Sequence, residues 1–97
     1  MAEVVQSVGV TQSGRGGTIY HAEGGSRLSF DWEFSMTGAT IFVPTPEQWD
    51  GWCESSGVPE AKGRRDEILS FVAVETIRQK TSGAKFEVSE NWIEILF

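Results

Sequence analysis

One cysteine and one histidine are all that the 97 residues contain of those two types. Cys53 alone closes no internal disulfide, and His21 alone, with no CxxC pair, leaves nothing at the spacing of a structural metal site. Positive charge is scarce as well: eight Lys and Arg face fourteen Asp and Glu, for a net charge of −6. A chain so poor in cations is not built to follow a phosphate backbone or an anionic membrane surface, both of which need clustered Lys and Arg. No apolar run approaches the roughly 20 residues of a membrane-crossing helix, and no charged-then-apolar leader opens the sequence. The expectation is a soluble cytoplasmic protein with no cofactor, metal, nucleic-acid or membrane partner.

What is present is a core. Hydrophobic residues make up 39% of the chain and include four Trp and six Phe, enough to exclude a disordered polymer. A chain of this length buries about 65% of the surface its unfolded form exposes, so residues 1–97 are read as a single domain. The acidic excess is uneven, at −5 over residues 1–58 and −1 over residues 59–97. A basic partner is the natural complement of the first half.

"RLSFDWEF" (27–34) alternates throughout: Leu28, Phe30, Trp32 and Phe34 fall on one side of an extended chain, and Arg27, Ser29, Asp31 and Glu33 on the other. The segments "EVVQSVGV" (3–10), "TIYHAE" (18–23) and "ATIFVP" (39–44) read as further strands, the last stopped by Pro44, and the glycines of "TQSGRGG" (11–17) as a mobile loop. In "TPEQWDGW", Thr45 is an N-cap, Pro46 takes the first helical position and Gln48 completes a capping box. Gly57 and Pro59 end that short helix. A long helix over 64–83 carries the stripe Ile68, Leu69, Phe71, Val72, Ala73 and Ile77, and "KFEVS" and "WIEILF" close the chain as two strands. The expected fold is α+β: an antiparallel sheet of about six strands, in the order ββββααββ, with one short and one long helix on one face.

Helices on one face leave the other open. Asp31 and Glu33 then project from it about 6.5 to 7 Å apart, without the histidine, nucleophile or second carboxylate run that acid–base catalysis requires. Asp50 and Glu54 on the short helix extend the acidic surface, and Trp49 is a candidate aromatic anchor for a partner, though Trp49 and Trp52 together also suit pinning that helix to the sheet. "GRGG" lacks the Lys-Ser/Thr ending and strand-to-helix setting of a phosphate loop. Lys62, Arg64 and Arg65 crowd a helix N-terminus, where each cation opposes the dipole by roughly 0.3 to 1 kcal/mol, so local carboxylates or a bound anion must offset them. An alternative site, a pocket between sheet and long helix, would use Tyr20, His21, Arg64 and Arg65.

The ordered set "GGTIYHAEGGSRLSFDWEF", "TIFVPTPEQWDGW", "GRRDEILSFVAVETIRQK" and "KFEVSENWIEIL" resembles the small immunity proteins of bacterial polymorphic toxin systems, most of all the group catalogued as immunity protein 74. That resemblance implies binding and neutralising one cognate toxin, often a nuclease or deaminase. It assigns no contact residues. The expected function is therefore a non-enzymatic inhibitor that docks an acidic surface over a basic toxin. A small ligand-binding domain or enzyme is the alternative, and self-association through an edge strand is the mark of a third, purely structural role.

Overall fold

The alternating segments pair into one six-stranded sheet in the computed structural model, which describes residues 5–97. Chain order is β1 (Gln6–Val10), β2 (Gly16–Glu23), β3 (Ser26–Ser35), β4 (Gly38–Phe42), α1 (Pro46–Ser55), a 3₁₀ turn (Pro59–Ala61), α2 (Arg65–Lys80), β5 (Lys85–Val88) and β6 (Trp92–Leu96). The spatial order is β1-β2-β3-β4-β6-β5, and every neighbouring pair is antiparallel. The fold is thus α+β with the strand and helix order that the sequence predicts. The first strand is shorter than expected, and Glu3 and Val4 lie outside the described residues.

β3 carries the alternation into space. Leu28, Phe30 and Trp32 are buried while Arg27, Ser29, Asp31 and Glu33 are exposed. Ile19 from β2, Ala39 and Ile41 from β4, and Ile93 and Ile95 from β6 join the buried set, and α1 and α2 cover it with Trp49, Cys53, Ile68, Leu69, Val72 and Ala73. α2 lies against β1, β5 and β6, and because β1 and β5 are the two edges of the sheet, the sheet curls around that helix. Gln79 on α2 donates its side-chain amide to the Val8 carbonyl at 2.8 Å, which satisfies a backbone group on the β1 edge.

α1 begins as its sequence dictates. The Thr45 hydroxyl accepts from the Gln48 backbone N–H at 3.2 Å, and the Gln48 side chain accepts from the Thr45 N–H at 3.2 Å. The helix is pinned over β3 by aromatic contact. Trp49 stacks on Phe30 with ring planes 9° apart and centroids at 6.5 Å, and its indole N–H donates to the Ala61 carbonyl at 2.9 Å. Gly57 then takes a φ of +78°, a conformation costly for any residue with a Cβ, and turns the chain into the 3₁₀ segment.

The glycine-rich stretch corrects one expectation. Gly16 and Gly17 belong to β2 rather than to a mobile loop. A Cβ on Gly17 would stand 2.0 Å from the Thr11 carbonyl oxygen. That same oxygen accepts the Trp32 indole N–H at 2.9 Å, so glycine is what lets the 11–13 segment close over the core.

Arg65 ties two connections to the start of α2. Its Nε donates to the Pro44 carbonyl at 3.0 Å and its Nη2 to the carbonyls of Ser89, at 3.0 Å, and Glu90. Its side chain is only 11% exposed. Arg65→Met is expected to cost about 2 kcal/mol of unfolding free energy in a urea titration. Arg65→Lys should recover less than half of that, because an ammonium cannot fork to carbonyls on two segments.

Candidate protein-binding face

The side of the sheet away from the helices carries one continuous row. Glu33 on β3 pairs in register with Thr40 on β4, Thr40 with Glu94 on β6, and Glu94 with Glu87 on β5. Directly opposite residues share a face and place their Cβ atoms about 4.5–5.5 Å apart. Three carboxylates therefore lie along one line across four strands, with the Thr40 hydroxyl donating to Glu94 Oε2 at 3.0 Å. Asp31, opposite Thr18, adds a fourth one step along β3. Among the described residues none of these four acids has a cation within ion-pair distance, and Glu87 and Glu94 confront each other directly.

Beside the acids stands an aromatic pair. Phe42 and Trp92 face each other across β4 and β6 and are 45% and 43% exposed. Phe42 also borders two open depressions that share Asp31, one reaching Glu33 and the other reaching Trp52. Aromatic surface beside uncompensated carboxylates matches the make-up of a recognition face, in which a large ring supplies the anchor and the charges select the partner.

Asp31 and Glu33 occupy the exposed positions expected of them. Trp49 does not. At 1% exposure, under α1 against Phe30, it is a core residue that cannot touch a partner, because the ring facing the sheet is what holds that helix down. Asp50 and Glu54 ride on the helical layer instead of the open face and are locally engaged: Asp50 Oδ1 accepts from the Gly63 N–H at 2.9 Å, and Glu54 lies 3.3 Å from the Lys62 ammonium. Phe42, Trp92, Glu94 and Glu87 were missed in the sequence. The signal for Trp92 and Glu94 was the alternation of "WIEIL", in which Ile93 and Ile95 take the buried side.

Tyr20, His21, Arg64 and Arg65 do not converge. Adjacent strand residues point to opposite faces, so Tyr20 lies on the open face with the Arg27 guanidinium 4.6 Å over its ring, while His21 is buried under the helices. His21 Nε2 is 2.9 Å from Gln6 Oε1, and its ring meets Phe71 edge-on at 5.9 Å. Arg64 bridges Glu23 at 3.0 Å and also pairs with Glu67, contacts that raise its pKa and answer the cation-at-N-terminus problem locally. The space between His21 and Arg64 is about 10 Å³, no more than one water requires. Cys53 is fully buried, and desolvation pushes its thiol up, which leaves it unreactive.

No group of three or more His, Cys, Asp or Glu is arranged to hold a metal ion among the described residues. No helix among them is long and apolar enough to cross a membrane. The fold and face define a one-sided α+β domain with an acidic, aromatic open surface. No protein-family model matches the chain, and no curated protein or solved structure does.

Two measurements check the buried groups. Burial, opposed in part by Glu23, holds the His21 imidazole below its ordinary 6.5. Below that pH the unfolded chain takes up the proton first, so stability is complete above about 6.5 and is lost as pH falls toward the folded-state value. His21→Gln is expected to flatten the urea midpoint between about pH 7.5 and 5.5, where the wild-type midpoint declines. The Cys53 thiol should resist a disulfide reagent such as Ellman's reagent in the native protein and react at once in urea.

Proposed function

We propose that this protein is a non-enzymatic inhibitor that acts in the cytoplasm by docking the open face of its sheet against a basic protein. The observation that carries the reading is the row Glu33, Glu94 and Glu87, with Asp31 beside it, left without ion pairs among the described residues next to the exposed Phe42 and Trp92. A carboxylate placed directly opposite another destabilises a sheet. Retaining Glu87 against Glu94, with no Lys or Arg within ion-pair distance among the described residues, is the pattern of a surface whose charge is completed by something else. The resemblance to small immunity proteins supports a toxin as that partner, and a nuclease or deaminase cleft, basic because it holds nucleic acid, has the complementary field.

The alternative of a ligand site built from Tyr20, His21, Arg64 and Arg65 gains no support from a 10 Å³ space and from side chains on opposite faces.

Stability and binding should part company under substitution. Glu87→Lys creates an opposite-charge pair with Glu94 and is expected to raise unfolding free energy by about 0.2–1 kcal/mol. The same change, combined with Glu33→Lys, should slow association with the basic partner roughly 10-fold or more, and the wild-type rate should itself fall as salt rises. Trp92→Ala should leave the fold intact and cost about 2 kcal/mol or more of binding. Affinity purification with wild-type and Glu33→Lys/Glu87→Lys protein, followed by surface-plasmon kinetics on the retained partner, reads all of these. Recovery of no basic partner, or kinetics indifferent to charge reversal, would sink the reading.

A further inference from the structure

A second feature lies on the covered side, at the opposite end of the chemistry. A cavity of about 160 Å³ opens between the last turns of α2 and the ends of β1, β3, β4 and β6. Its walls are Val10, Trp32, Phe34, Ala39, Ile95 and Phe97, and no acidic side chain lines it. Trp32 and Phe34 meet edge-to-face at 4.9 Å and form one rigid wall. Phe34 and Phe97, at 39% and 68% exposure, give the cavity an aromatic rim.

Gln12, Thr76, Lys80 and Thr81 break the apolar lining, and two of them bear on an occupant. Thr76 is only 7% exposed, and its hydroxyl has no hydrogen-bond partner. A buried hydroxyl is ordinarily paired, and threonine in a helix has two accessible χ1 rotamers, so a turn of this side chain can offer the hydroxyl to an occupant. Lys80, at the end of α2, also lines the cavity, and no carboxylate is within ion-pair distance of it among the described residues. Arg78, two residues earlier, is by contrast held by Glu75 at 2.8 Å.

From these features we infer that the cavity is a binding site for a small monocyclic aromatic carboxylate. An apolar cavity of roughly 150 Å³ takes up one benzene ring. Here the ring packs against Trp32, Phe34 and Ile95, and the carboxylate reaches the Lys80 ammonium at the mouth. A cationic ligand of the same shape meets Lys80 and no acid. An uncharged one fills the walls but leaves Lys80 unanswered.

An NMR titration of the full chain with benzoate, benzylammonium and toluene separates these cases. Saturable benzoate shifts at the amides of Ala39, Thr76 and Ile95 are expected, with toluene weaker by about fivefold and benzylammonium weaker still. Lys80→Met alters an exposed side chain and should bring benzoate down to the toluene level while leaving toluene unchanged. Ala39→Leu fills the cavity and should abolish both; if that variant does not fold, the Lys80→Met comparison alone decides. The inference is overturned by no saturable shift from any probe, by equal binding of benzoate and benzylammonium, or by shifts that cluster at Phe42 and Trp92.

Discussion

A single layer of helices can cover only one side of an antiparallel sheet, and everything else in this protein follows from that limit. Side chains alternate along each strand, so burying Leu28, Phe30 and Trp32 under α1 and α2 commits Ser29, Asp31 and Glu33 to solvent. Antiparallel register then carries the commitment sideways. Once Glu33 faces outward, so must Thr40, Glu94 and Glu87 in turn, because each sits directly opposite the one before. The acidic row is the shadow of the core.

Most cations near the helices are engaged, Lys80 at the end of α2 being the exception among the described residues: Arg64 pairs with Glu23 and Glu67, Arg65 with three carbonyls, Lys62 with Glu54, and Arg78 with Glu75. These contacts close the ends of helices and hold connections in place. The open-face acids are denied such partners, although a single lysine at position 87 would relieve the strain. Proteins commonly keep locally unfavourable groups where a surface has work to perform, and stability is then supplied elsewhere. Here it comes from the filled aromatic packing of Phe30, Trp49 and Trp52 and from the aliphatic core of α2.

Much of this could be read from the chain before any coordinates. The alternation of β3, the Thr45 capping box and the stripe of α2 each rest on local chemistry and stand where expected, except that Phe34 at the end of β3 is 39% exposed and β4 stops at Phe42, two residues before Pro44. Trp49 was harder, because a tryptophan on a short helix serves equally as a lid or an anchor, and only the position of the Phe30 ring beneath it decides. Gly16 and Gly17 were misjudged for a related reason: glycine marks both loose turns and close approaches, and the carbonyls that demand it, of Trp32 for Gly16 and of Thr11 for Gly17, come close only once the chain has folded back. Phe42 was invisible, since its neighbours Ile41 and Val43 are both apolar and fit either side, and its pairing with Trp92 depends on β4 lying beside β6.

The sequence by itself determined periodicity: which segments are strands or helices, where they stop, and that one set of strand side chains must be buried. Those properties depend on neighbours within about four residues. Only the tertiary structure decided which strands lie side by side, and with that the line of Glu33, Thr40, Glu94 and Glu87 from residues up to 61 positions apart, from 33 to 94. The same assembly left a cavity where four strand ends meet the close of α2. Register and the space between elements are set by how whole faces pack, and no local pattern encodes them.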